Sequence, residues 1–438
     1  MALRTDDNSG VELERSRLWP SPVSYTLLFL IFISTFRILA TLPLDGLHQA
    51  LSSMAIIGLT VYYISSLYLN FRHFRITRLD IMMWVFIAAN FFAAFQAKTV
   101  FGQPYYYGVM AQRSVLLSLS GMLLLSLLEQ GWITIQQVER AFVAIAVLLL
   151  GIFFYFYLFV NPVRFGDVEF VAYSPIRGYR YRFQFALVIM LLFYSMFKVS
   201  EEGRRRYYIL IGAILFYLIY FLQSRTTLVV LLITMMVYFY RNFTLREKIR
   251  NGMLYGAVVL VAGLLFFALG FTSLFDRYQL LYKNVLSVFL GESPDEASSA
   301  VRFMELKLAM EHIEQHPLLG NGFVSSQWNG GWHEILGYFY PVDIGILGNI
   351  FVFGCIGTAL IYLPFYYSYD YSRKVESGDV FFKTCEYMLL FFFLSMFFSA
   401  VNIRDSSSIM FLVCLLYYYR YRQGGAVEPQ MTWNNARA

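Results

Sequence analysis

Charge is what this sequence has least of. Only 14% of its 438 residues are Asp, Glu, Lys or Arg, while 58% are hydrophobic. Soluble domains carry about a quarter charged residues, so an ordinary soluble domain is excluded. Cysteine is almost missing. Cys355, Cys385 and Cys414 all sit inside apolar runs without metal-type spacing, which excludes a disulfide framework and a zinc site and leaves them as small packing residues. The chain also lacks a glycine-rich phosphate loop, a nucleophile elbow and a dinucleotide fingerprint, and it shows no internal repeat or low-complexity tract. The net charge of +6 is no nucleic-acid signature, because most basic residues fall in short loops flanking apolar runs. Residues 1–19 are polar and carry Arg4, Arg15 and Arg17, and no small-x-small cleavage pattern follows the first apolar run. That run is expected to stay in place as a span.

What is present is apolar length. The unit of such a chain is the run of about 20 residues that crosses a bilayer. Twelve runs are predicted to span: 23–39, 47–69, 79–95, 114–128, 141–160, 183–197, 207–222, 226–240, 253–271, 344–367, 380–401 and 406–419. The fold class is therefore all-α and integral to the membrane, with a large external loop between helices 9 and 10. The division is a tail (1–22), nine spans (23–271), the loop (272–342), three spans (343–419) and a second tail (420–438). Basic residues set the orientation. Arg72, Arg75 and Arg78, Arg140, Lys198 with Arg204–Arg206, Arg241 to Arg250, Arg373 with Lys374, and both tails alternate onto one side, so both termini are expected in the cytoplasm.

Arg164, Arg177, Arg180, Arg182, Arg225 and Arg404 break that rule, each in a short outer connection or beside one. Singly, each is equally well read as snorkelling to headgroups or pairing with Asp167, Glu169 or Asp405. As a set on one face they point to an anionic ligand. Arg37 is nearly the only charge deep in a span, which argues against a carrier, since carriers place polar groups at the midplane. The abundant Tyr and Phe read as an interfacial belt.

The long outer loop turns polar and then apolar again. Ser299 is expected to cap a helix running to about His316, where Pro317 and Gly320 stop it. At helical spacing Arg302, Glu305, Ala309, His312 and His316 form one stripe between two apolar flanks. The stripe fits a helix lying over a cavity or one showing its polar side to water. His312 and His316 stand at zinc-ligand spacing, but Ile313-Glu314-Gln315 between them is not the metalloprotease pattern, and Asp167-Val168-Glu169 alone is a weak acidic pair. No metal or cofactor is expected.

Arg302, Ala309 and Pro317-Leu318-Leu319-Gly320-Asn321-Gly322 together resemble the central signature of the bacterial O-antigen ligase and polysaccharide polymerase superfamily. Asp343-Ile344, an apolar helix and Gly354-Cys355-Ile356-Gly357 resemble its polar pair and Gly-x-x-Gly ending; Ser224-Arg225 fits its Ser-Arg span opening, and Arg177-Gly178 with Ala186 its arginine-bearing outer loop. The resemblance covers about 177–364. Ligases of the family carry a His-Asn-like pair where Asp343-Ile344 stands, and Pro-Asn where Phe183-Gln184 stands, which favours a polymerase.

The resemblance implies a GT-C-like glycosyltransferase of the bacterial cytoplasmic membrane, polymerising O-antigen or exopolysaccharide for the cell surface. The growing glycan would pass from undecaprenyl pyrophosphate to a sugar hydroxyl of a lipid-linked repeat unit. Arg177, Arg180, Arg225 and Arg302 would hold the pyrophosphate, because the guanidinium fork grips two oxygens and never deprotonates. Asp343, or else His333, would be general base toward the acceptor; a helix N-cap is the other role open to Asp343. Partners would be the lipid-linked oligosaccharide, membrane lipids, a chain-length regulator and a flippase, with no nucleic acid. The alternatives are a ligase delivering glycan to lipid A core or protein, and a transporter of lipid-linked oligosaccharide.

Overall fold

The computed structural model describes residues 21–41, 45–72, 76–165, 171–174, 178–181, 183–222, 224–242, 297–337, 339–375, 379–400 and 402–423. The described chain is helical apart from one hairpin. A helix stands at eleven of the twelve apolar runs, and the run 253–271 lies outside the described residues. In order these are α1 (Ser21–Thr35), α2 (Asp45–Arg72), α3 (Arg78–Phe101), α4 (Tyr105–Gln112) continuing through a 3-10 turn into α5 (Leu119–Glu129), α6 (Ile135–Phe159), α7 (Ala186–Ser200), α8 (Tyr207–Phe216), α9 (Arg225–Asn242), α10 (Ala297–Gln315), the short α11 (Trp332–Leu336), α12 (Gly345–Ser372), α13 (Val380–Phe398) and α14 (Asn402–Tyr418). Among the described residues, five helical stretches are long and apolar enough to cross a membrane: Arg78–Phe101, Tyr105–Glu129, Ile135–Phe159, Pro341–Ser372 and Val380–Phe398. This is a multi-pass helical membrane protein.

Local chemistry sets the helix ends. Thr77 and Asp80 close a reciprocal capping box at the start of α3, Thr134 and Gln137 do the same for α6, and the Asp379 carboxylate accepts from the Phe382 N–H at the start of α13. Two sequence expectations change here. The described part of α10 starts at Ala297, so Ser299 lies inside the helix and not at its cap. Arg37 is not deep in a span: α1 ends at Thr35, and Arg37 takes a left-handed turn (φ 49°) before the next 3-10 turn.

Burial separates inner from outer helices. From Ser406 to Tyr417 every residue of α14 is buried, where it packs on α5, α12 and α13. In contrast, α2 exposes Met54, Ile57, Val61, Ile64 and Tyr68. In water such a stripe would be costly; against lipid tails it is satisfied.

One feature positions the outer loop. α12 is broken at Gly354, whose backbone (φ 66°, ψ 179°) is open to glycine but not to residues with a Cβ. The break frees backbone groups, and the stretch 317–322 takes them. Asn321 and Gly322 donate their N–H groups to the Phe351 and Val352 carbonyls (2.7 and 2.9 Å), while Cys355 and Ile356 donate to the Pro317 and Leu318 carbonyls (2.9 and 3.2 Å). This satisfaction is what permits non-helical backbone among packed apolar helices. On its other side the stretch lies against α3: Phe323 N–H bonds the Ala93 carbonyl at 2.9 Å, and a Cβ at Gly322 would overlap the Ala97 backbone.

Candidate functional site

The first cluster forms around a hairpin absent from the all-helical expectation. Strands β1 (Val171–Ser174) and β2 (Gly178–Tyr181) pair antiparallel, with Ala172 opposite Arg180. Alternation of Val171, Tyr173, Tyr179 and Tyr181 is the strand period. Tyr181 is fully buried, and its hydroxyl donates to the Val160 carbonyl at 3.0 Å, fixing the hairpin to the end of α6. Rings of Phe153, Phe183 and Tyr181 stack at 4.5 and 4.9 Å beneath it.

The Tyr157 hydroxyl then joins hairpin to helix. It lies 3.1 Å from the Tyr181 carbonyl and 3.4 Å from the Phe221 carbonyl, which belongs to the π-helical turn Tyr217–Leu222. Past that turn, Ser224 receives the Thr227 N–H (3.4 Å) and hydroxyl contact (2.7 Å) as cap of α9, so Arg225 is its first residue. Two segments more than 40 residues apart, one holding Arg180 and the other Arg225, thus share a corner. The 3-10 turn Pro162–Phe165, with exposed Arg164, packs on β2 in the same place. Arg177 and Arg182 lie outside the described residues.

The second cluster sits where α10 meets the 3-10 turn Pro341–Ile344. The predicted polar stripe proves to be the packed side at its middle: Ala309 is fully buried and Glu305 is 1% exposed, while Phe303, Met304 and Met310 face outward. The Glu305 carboxyl accepts the Tyr340 N–H at 3.0 Å through Oε1, and its buried Oε2 has no hydrogen-bond partner among the described residues. Burial pushes this carboxyl up to about 7; the Tyr340 N–H pulls the other way, the charge of Asp343 adds to the rise, and Arg302 one turn back opposes it. Asp343 itself is exposed, and its N–H bonds the Tyr340 carbonyl at 2.9 Å. Ile344, not Asp343, occupies the N-cap position of α12, so capping is not what Asp343 does. Arg302 is exposed on the same edge.

The aromatic loop is pinned rather than loose. Trp332 is buried against Phe101, Phe339 and Phe351 at 5.3, 5.9 and 5.2 Å, and Gln103, itself buried, holds the Ser325 N–H (2.7 Å) and the Phe323 carbonyl (3.1 Å). His333 is exposed, its Nδ1 3.3 Å from the Glu334 carboxylate. His312 lies against the Phe101 and Phe351 rings, and burial lowers its imidazole below the usual range. Among the described residues no group of three or more His, Cys, Asp or Glu is set to hold a metal.

The fold therefore ties β2, which carries Arg180, to the π-helical turn that precedes Arg225 through one tyrosine hydroxyl, and sets Arg302 and Asp343 each within electrostatic reach of Glu305. Sequence reading placed Glu305 in the stripe without giving it a role; its signal was a lone acid one turn from an arginine, beside a buried alanine. No protein-family model matches the chain, and no curated protein matches it.

Proposed function

We propose that the protein polymerises a bacterial surface polysaccharide, transferring a glycan from a polyprenyl pyrophosphate to a lipid-linked acceptor at the outer face of the cytoplasmic membrane. A frame of twelve spans with cytoplasmic termini and a GT-C-like arrangement belongs to this reading. The observation that carries it is the corner made by Tyr157, whose hydroxyl ties the strand that carries Arg180 to the π-helical turn ahead of Arg225, the first residue of α9. Cations and unpaired helix N–H groups together suit a diphosphate leaving group, whose charge grows as the anomeric C–O bond breaks. Asp343 then accepts the proton of the acceptor hydroxyl.

Two further facts support it. Two of the segments that carry the family resemblance, 317–322 and 354–357, are hydrogen-bonded to each other although more than 30 residues apart. A broken helix is also what a transporter uses to bind ions, but here the Phe351, Val352, Cys355 and Ile356 backbone groups are all occupied by the chain's own loop. The test is Arg180→Lys and Arg225→Lys, which keep charge but lose the fork. Both are expected to shorten surface glycan at normal protein level. Full-length glycan from both would end the pyrophosphate reading, and retained chains missing only from lipid A core or protein would mark a ligase.

A further inference from the structure

We propose that Glu305 is a positioning residue for the Arg302–Asp343 pair: uncharged, it clamps the turn that carries Asp343 and leaves the Arg302 guanidinium free to meet an anionic ligand. The identity of that ligand as a pyrophosphate rests on the reading above; the clamp does not.

Geometry gives the clamp. A carboxyl 1% exposed uses one oxygen to hold the N–H of Tyr340, the residue that opens the Pro341–Ile344 turn, and its second oxygen has no partner among the described residues. Among the described residues, the charged groups around it are few. Arg302 comes from its own helix, Asp343 from the turn, and His312 lies two turns further along α10. The first half of α12, residues 345–354, whose Phe351 ring meets His312 of α10, brings no ionisable side chain. Among the described residues, an ionised Glu305 would thus have a bare buried oxygen and a single cation, Arg302, to satisfy it. Buried charge demands such pairing, so ionisation would draw Arg302 inward, away from any ligand on the exposed edge.

The change falls near neutrality, because the folded carboxyl is held at about 7 against an ordinary 4.5. The direction for stability follows. Between those two values the folded chain keeps a proton that the unfolded chain releases, so this group's stabilisation is full at low pH and is lost as pH rises through about 7.

Glu305→Gln is the deciding variant, since its amide oxygen can still accept the Tyr340 N–H and it cannot ionise. The full chain in lipid nanodiscs is followed by thermal midpoint and by binding of inorganic pyrophosphate from about pH 6 to about pH 9. In the native protein both are expected to fall across neutrality more than in Glu305→Gln, with pyrophosphate affinity losing several-fold; in Arg302→Ala that extra loss of affinity disappears. A Gln variant whose midpoint follows the native curve would overturn the buried neutral acid. A midpoint that separates while pyrophosphate affinity declines equally in both would overturn the link to Arg302. If both measurements behave as expected but the native protein transfers no glycan between lipid-linked repeats, the polymerase reading fails and the inference stands.

Discussion

The arginine corner and the carboxylate turn are built in opposite ways. At the corner, a shell of stacked aromatics and one shared tyrosine hydroxyl fix the backbone, and the cations sit on a strand and at a helix start. At the turn, the fixing group is itself ionisable: Glu305 is buried to hold a backbone N–H, and its charge is part of the site. The corner is thus held by aromatic packing and hydrogen bonds between neutral groups, whereas the group that holds the turn can change charge. On the proposed polymerase reading, a reaction that grips a diphosphate leaving group and also moves one proton would use both kinds of construction.

The largest effect is expected where both constructions hang on the same scaffold. A Cβ at Gly354 would overlap the Leu318 carbonyl and force its backbone out of a region kept for glycine. Gly354→Ala should destabilise the chain by about 3 kcal/mol or more, read as a drop in thermal midpoint and membrane yield. A variant with native stability would show that the clasp of 317–322 on the broken α12 is not what holds the outer loop.

Next is the chemistry of the turn. Asp343→Asn should slow transfer about a hundredfold or more at unchanged stability, as loss of a general base does, while His333→Ala stays within a few-fold. The opposite pattern, a dead alanine variant and a near-normal asparagine variant, would move the base to the aromatic loop. The corner should respond less steeply. Arg225→Lys keeps the charge and the helix start, so about a tenfold loss in transfer is expected, with a raised KM for the lipid-linked donor. A loss in kcat alone would mean that Arg225 meets the diphosphate only in the transition state.

Much of this was legible in the sequence, and the pattern of what was not has physical causes. The apolar runs gave their helices because a stretch with no polar partners for its backbone has little choice but to satisfy itself. The arginines stood out because a cation on the wrong side of a span is conspicuous wherever it points. The clasp was half legible: Pro317 to Gly322 and Gly354 to Gly357 were singled out as motifs, but that they bond to each other is a long-range fact invisible to local pattern. The hairpin carrying Arg180 was read as plain loop, because four-residue strands between turns are too short for periodicity to separate from chance. Glu305 was least legible. Helical spacing put it in a polar stripe, and a stripe shown to water and a stripe folded onto a turn look alike until the turn itself is placed.

The smallest effect is the one that tests how the corner is held. Tyr157 contributes two separable things. Its ring stacks on Phe221 at 4.4 Å and meets Tyr181 edge-on at 5.3 Å, and its hydroxyl is shared between the Tyr181 and Phe221 carbonyls. Tyr157→Phe removes only the second. A hydrogen bond between neutral groups is worth about 1 kcal/mol net, and the rings that remain bury nearly the same surface, so the thermal midpoint should barely move. What should move is the register between β2 and the start of α9. Amide exchange of residues 178–181 is expected to quicken, and transfer to fall about threefold through KM for the donor, a fraction of the Arg225→Lys loss. Unchanged exchange and transfer would show that aromatic packing alone sets the corner, and that the hydroxyl merely satisfies carbonyls the π-helical turn leaves open. A loss as deep as that of Arg225→Lys would instead make the hydroxyl the part that brings the two arginines together.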